Sequence, residues 1–230
     1  MEGSRNDAFT SLRDMVLQRV RGDIVSGHSG PGTMYSVPTL AEEMGVSTTP
    51  VREALLELSH NGLIAPVRNR GFRVEATSLD DLRNGFALRE LLERFAMLRL
   101  AEQRLTDTDA LRRLADDVAA AVKRKDGRGY IETDRAFHLA LVSRANNPML
   151  TRMVMELRDG MRLYGMESAA GRQRQVASVK EHYQLIDLAE AGDTDAIGNL
   201  ISRHIKSWEP VFTAALEERL DRNAVQSRGR

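Results

Sequence analysis

Three of the chain's five histidines fall on apolar helical stripes in its second half. Asp134 and His138 stand four apart, so a helix carries both on one face, which Leu141 and Ala145 continue. His182 shares a stripe with Val179, Ile186 and Ala189. His204 shares one with Ile197, Leu200, Ile201, Trp208 and Val211. A single histidine on such a stripe is ordinarily a core residue bonded to a carbonyl. Three of them with an aspartate are harder to place that way, because each buried polar group needs a partner. One divalent metal ion per chain would serve all four. Three imidazoles and one carboxylate suit Zn²⁺, with Ni²⁺, Mn²⁺ and Fe²⁺ also compatible. In an octahedral ion two positions would then remain for water or for the oxygens of a small acid.

A second set of residues has the chemistry to read a nucleic acid. Ser47, Thr48, Thr49 and Arg52 lie on the helical face opposite Val51, Leu55 and Leu58. Small polar and basic side chains in the first turns of a helix can reach base edges in the major groove. An arginine paired with guanine O6 and N7 contributes roughly 1–3 kcal/mol of discrimination. Downstream, Arg68, Arg70 and Arg73 surround Gly71 with no acid between Pro66 and Val74, a patch suited to phosphates or a minor groove. Charge alone does not argue for this. Residues 1–78 hold eight arginines against nine acids, so the order of elements must carry the reading.

That order begins with a helix over about Thr10–Ser26, on which Leu12, Val16, Val20 and Ile24 recur every fourth residue. Thr39-Leu40-Ala41-Glu42 has capping-box spacing and predicts the start of a short helix that Gly45 closes. A third helix follows at once, with Ser47–Thr49 as cap candidates, Pro50 in its first turn and Gly62 at its end. Leu63–Val67 and Phe72–Ala76 read as strands around the turn Arg68-Asn69-Arg70-Gly71. Helix, helix, turn, helix, hairpin is the order of a winged helix-turn-helix.

Beyond about Thr77–Ser78 the chain reads as helix after helix. The expected segments are Ser78–Gln103, Thr106–Lys125, Tyr130–Ala145, Pro148–Tyr164, Gln173–Ala191 and Asp193–Leu220, the last kinked near Glu209 by Pro210. Apolar positions of the first include Leu82, Phe86, Leu91, Leu92, Phe95 and Leu98. The fold class expected is therefore mainly α, with a winged helix-turn-helix over 1–77 and an all-helical bundle over 78–230. Met1–Ala8 and Asp221–Arg230 read as polar tails.

Composition narrows the field. With no cysteine among 230 residues, disulfides, thiolate metal sites and cysteine nucleophiles are excluded. Lys+Arg and Asp+Glu are 33 each, which excludes a chain that coats nucleic acid by bulk charge. No window approaches the roughly 18 apolar residues of a membrane span, and the first ten residues lack a signal-like apolar core. A cytoplasmic protein is expected.

Several segments together carry a family resemblance. Pro31-Gly32, Leu40-Ala41-Glu42, Gly45-Val46-Ser47, Thr49-Pro50-Val51-Arg52-Glu53-Ala54-Leu55, Gly62-Leu63-Ile64 and Arg70-Gly71-Phe72-Arg73-Val74 resemble the DNA-binding half of GntR-family bacterial regulators. Arg52 matches one family arginine. Thr48 stands where the family usually has another that contacts the operator, which puts the usual operator sequence in question. Asp134-Arg135-Ala136-Phe137-His138, Ala145-Asn146-Asn147, Glu181-His182, Gly192-Asp193 and His204 resemble the ligand-binding (FCD) domain of the FadR subfamily. The resemblance implies a metal held by Asp134, His138, His182 and His204. A count of six helices is similar to the shorter, VanR-like branch. Members of this kind respond to small organic acids from sugar, aromatic or amino-acid metabolism. Arg89 and Glu93 also match the family pattern. Arg89 reads either as a carboxylate clamp for an effector or as the partner of Glu93 at i,i+4 spacing. Arg158 and Arg162 share a face that either lines the same cavity or is simply solvated. Trp208 reads as core, and His28 and His60 as surface.

These readings lead to one expectation: a homodimeric transcription regulator, not an enzyme. It would bind a pseudo-palindromic double-stranded operator, and a small carboxylate at its metal site would control operator affinity. Two rivals remain at this level. One is a metalloenzyme in which the ion activates water, although a winged domain has no role there. The other keeps DNA binding and makes the metal purely structural.

Overall fold

The computed structural model describes residues 11–161 and 164–228, with side chains as far as residue 222. It divides into two compact units between Ala76 and Thr77. Among the described residues no helix is long and apolar enough to cross a membrane.

The first unit is built from α1 (Leu12–Val25), β1 (Met34–Tyr35), α2 (Val37–Met44), α3 (Thr48–His60), β2 (Ile64–Val67) and β3 (Gly71–Val74). Val16, Val20 and Ile24 of α1 pack with Leu40 of α2 and with Val51, Leu55 and Leu58 of α3 in one core. Leu12, the fourth member of the expected α1 stripe, is exposed. Two features depart from the sequence reading. First, α2 starts at Val37, two residues before the expected capping box, because extended Ser36 serves as N-cap and Pro38 fits the first turn. Second, β1 is a strand too short to show any alternation. It makes a three-stranded antiparallel sheet in the order β1-β3-β2, with Tyr35 opposite Phe72. That sheet explains Gly71. Its φ is +111°, and a Cβ there would stand 2.1 Å from the Tyr35 carbonyl oxygen.

The second unit contains α4 (Leu79–Glu102), α5 (Asp109–Arg124), α6 (Gly127–Ser143), α7 (Pro148–Gly160), α8 (Ala169–Ala191), α9 (Thr194–Lys206) and α10 (Glu209–Arg228). Local capping explains most of the starts. Ser78 and Asp81 form a reciprocal capping box on α4. Asp126, Asn147, Ser168 and Asp193 each accept a backbone N–H in the first turn of their own helix. The segment expected as one kinked helix is two, α9 and α10, separated at Ser207–Trp208. Pro210 is tolerated because it lies in the first turn of α10. The described residues of this unit therefore form seven helices where the pattern predicts six. α7 ends at Gly160, with Arg162 and Leu163 outside the described residues. The expected tail at Asp221 instead continues α10 to Arg228, while Met1–Ala8 lies outside the described residues.

One continuous core fills the bundle, including Phe86 and Leu100 of α4, Phe137 and Leu141 of α6, Leu185 of α8, Ile201 of α9 and Phe212 of α10. Leu91 and Phe95 of α4 take no part in it and are exposed.

Candidate metal centre and nucleic-acid interface

α6, α8 and α9 bring His138, His182 and His204 together, all buried, with one ring nitrogen from each within 4.8 Å of the others. Donor atoms each about 2.1 Å from one ion can stand at most about 4.2 Å apart, so a small inward adjustment would suffice. Asp134, one turn before His138 on α6, is not part of that mutually close group but lies beside two of its rings. Its Oδ1 lies 3.4 Å from His182 Nε2 and 3.7 Å from His138 Nε2. Its Oδ2 accepts a hydrogen bond of 2.8 Å from Arg158 Nη2. The carboxylate is thus oriented by its outer oxygen and leaves the inner one toward the imidazoles.

The ring nitrogens test whether an ion fits. Both nitrogens of His138 and Nδ1 of His182 are buried without a hydrogen-bond partner among the described residues. A neutral imidazole always carries one N–H, and an unmet buried polar group costs about 1–3 kcal/mol. Two hard-to-satisfy rings facing a carboxylate oxygen fit a divalent ion, which needs neutral imidazole. Burial first, and then the Arg158 guanidinium and the neighbouring histidines, hold His138 well below its ordinary value. Burial also pushes His182 down to about 3, against the opposing pull of Asp134. Phe137 stacks on the His182 ring at 4.3 Å and fixes its plane.

A ring of charged residues surrounds the donors. Burial alone would raise the Asp134 carboxyl, but Arg158 and the histidines outweigh it and hold the group below its ordinary value. Glu93 behaves the same way between two arginines. Its buried carboxylate accepts 2.7 Å from Arg89 Nε and 2.9 Å from Arg158 Nη1. Glu93 Oε2 is also 3.9 Å from His138 Nδ1, so a small approach would give that nitrogen an acceptor. His204 is already oriented: its Nδ1 lies 2.7 Å from Glu181 Oε2, which leaves Nε2 as the lone-pair nitrogen. Hydrogen bonds from His204 and Arg174 overcome burial and bring Glu181 down to about 2.

Arg89 takes the intrahelical arrangement. It is buried against Glu93, and its Nη1 contacts Met161 Sδ at 3.3 Å. Arg158, one of the two arginines left open between cavity and solvent, is largely buried and bridges Glu93 and Asp134. Arg162 is outside the described residues. Sequence reasoning missed Glu93, Glu181 and Arg174 as supports of the histidines. Glu181 had one signal, its position beside His182; Arg174 had none.

In the first unit, Ser47, Thr48, Thr49 and Arg52 are all exposed at the start of α3. Arg68 and Arg70 are exposed in the wing turn, where Asn69 has φ +60°. Arg52, Arg68 and Arg70 form no ion pair among the described residues. Arg73 differs, since its guanidinium lies 3.1 Å from Glu75 Oε1.

Residues 12–74 match the model of the bacterial regulatory proteins of the gntR family, and residues 84–207 match the FCD domain. The chain belongs to the GntR family. This GntR regulator is 30% identical to the uncharacterized HTH-type transcriptional regulator BphR of Paraburkholderia xenovorans (strain LB400), over 86% of this chain and 83% of that one. It is 26% identical to the HTH-type transcriptional repressor RspR of Escherichia coli (strain K12), covering 85% of this chain and 86% of the relative. The solved structure of E. coli McbR/YncC superposes with a TM-score of 0.75 at 26% identity, covering 91% of this chain and 99% of that one. The regulator is thus a DNA-binding transcription factor with an FCD effector domain, and its relatives are regulators, not enzymes.

Proposed function

We propose that this GntR regulator binds its operator as a homodimer and that a small carboxylate, bound at a divalent metal in the FCD domain, controls operator affinity. Asp134, His138, His182 and His204 are the ligands, and zinc is the first choice of ion. The observation that carries the reading is the buried histidine cluster, with the unpartnered Nε2 of His138 and Nε2 of His182 both facing Oδ1 of Asp134. An ion bound there would supply Lewis acidity to hold an effector carboxylate. The chain's own groups prepare the place: Arg158 keeps Asp134 ionised, Glu181 orients His204, and Phe137 holds His182 flat. A carboxylate entering this apolar bundle without a cation would be costly, so metal and effector affinities are coupled reciprocally. Arg89 can contribute to the effector only by loosening its pair with Glu93.

On the DNA side, Ser47, Thr48, Thr49 and Arg52 enter the major groove, while Arg68, Arg70 and Gly71 of the wing follow the backbone or minor groove. Two copies are needed because each domain offers few cations, and doubling a weak contact set multiplies its affinity.

Elemental analysis of protein purified without chelator tests the site. About one divalent ion per chain is expected, with most of it lost in His182→Ala and His204→Ala. Full occupancy in the Asp134→Ala/His138→Ala double variant would remove the site. A thermal-shift screen of organic acids on the loaded protein would then identify the effector class, since a ligand of the folded state raises Tm.

A further inference from the structure

The four-residue spacing of Asp134 and His138 extends one turn further back, and α8 repeats it. Tyr130, Asp134 and His138 form one row on α6, and Arg174, Ser178 and His182 form another on α8. Every member except Asp134 is buried. One end of each row meets His204 in the donor cluster. The other end makes a second polar layer. There Ser178 Oγ lies 3.4 Å from His182 Nε2, and the Tyr130 hydroxyl has Ser178 and Asp134 as neighbours. The Arg174 guanidinium stands over the Trp208 ring at 5.6 Å, and that ring meets Tyr130 at 6.3 Å. Arg174 Nη2 is taken up by Glu181 and His204, but its Nε is buried without a partner among the described residues. The second layer thus holds two hydroxyls and a cationic donor with a proton still to give.

Charge defines what the two layers together would take. Glu93, Asp134 and Glu181 are each paired with an arginine, and the arginines are Arg89, Arg158 and Arg174. Three anions cancel three cations, and imidazoles that hold a metal are neutral. A divalent ion would therefore bring two positive charges that no described side chain of this network balances. A monocarboxylate would leave one of them uncompensated in a buried site, which is costly; a dianion leaves none.

We infer that the effector is a small dicarboxylate, with one carboxylate at the metal and the other received by Tyr130, Ser178 and Arg174. This deepens the carboxylate reading above and rests on it. Successive members of each row are one helical turn apart, about 5.4 Å, a step that a four- or five-carbon diacid can span.

Calorimetric titration of the zinc-loaded full-length protein with succinate and glutarate, against butyrate and valerate of the same chain lengths, tests it. At least one diacid should bind about tenfold or more tighter than its monoacid counterpart. Tyr130→Phe and Ser178→Ala should each cut that margin about 3–10-fold, with zinc content retained. Equal affinities for diacid and monoacid would overturn the dicarboxylate and leave a carboxylate effector standing. A margin that survives both substitutions would place both carboxylates on the ion and overturn the second layer. Absence of binding by all four acids would overturn this inference together with the carboxylate reading. The comparison of acids on the parent protein decides even if a variant fails to fold.

Discussion

Nδ1 of His204 lies 2.7 Å from Oε2 of Glu181, so the carboxylate outside the cluster decides which nitrogen of the imidazole faces into it. A ligand held this way loses both its tautomer and its orientation when the carboxylate goes. Glu181→Ala should weaken metal affinity about 10–100-fold. Glu181→Gln, whose amide oxygen can still accept from Nδ1–H, should lose less. Competition with a chromogenic chelator measures both, and equal affinities in all three proteins would refute the orienting role.

Acid should destabilise the chelated protein early. His182 sits at about 3 when folded, against about 6.5 in an unfolded chain. The unfolded state therefore takes the proton first, so stability present above about pH 6.5 is lost progressively as the pH falls toward 3. Glu181, lowered from 4.5 to about 2, adds a further loss between those values. Melting curves of metal-free protein should decline from about pH 6.5, and His182→Leu should reduce that first part of the decline, leaving the share of His138, which is also held well below its ordinary value. With metal bound, proton competition for the imidazoles should make the decline steeper.

Arg158 is the shared cation of the buried Glu93 carboxylate and the partly buried Asp134 carboxylate, with hydrogen bonds of 2.9 Å and 2.8 Å. Removing one partner of a buried ion pair typically costs about 3–5 kcal/mol, because the remaining charge is left uncompensated. Arg158→Met should lose about that much in urea unfolding. Adding Glu93→Gln to it should recover part of the loss. If Arg158→Met costs no more than an exposed substitution, the buried network has been misassigned.

The wing and the recognition helix should separate in their salt and sequence dependence. Arg52→Ala should cost about 1–3 kcal/mol on the operator and relax preference at one base position. Arg70→Ala should weaken all sequences about equally and flatten the salt dependence. Arg73→Ala should do less than Arg70→Ala, because Arg73 is already paired with Glu75. Fluorescence anisotropy over a salt series, on operator and scrambled duplexes, distinguishes the three.

How far the sequence carries depends on the kind of contact. His138, His182 and His204 were legible because polar residues on apolar stripes break a simple periodic rule. The recognition helix was legible because its cap, proline and buried stripe agree. Glu93, Arg174 and Glu181 were not, since a charged residue on a charge-rich helix looks solvated until its partners come from other helices. Glu93 receives Arg158 from α7, and His204 of α9 meets Glu181 of α8. Such pairings are set by packing. The strand Met34–Tyr35 escaped because two residues show no alternation, and its partner is set by the wing. Leu91 and Phe95 read as ordinary apolar helix positions, and only the folded unit shows that its own core does not cover them.

The central claim is that metal and effector share one site that governs DNA binding. Operator affinity, measured with and without an activating organic acid in metal-loaded and chelated protein, tests it most directly. The account predicts that chelated protein still binds operator but no longer responds to an acid that shifts the loaded form. An effector response of the same size in both forms would contradict it.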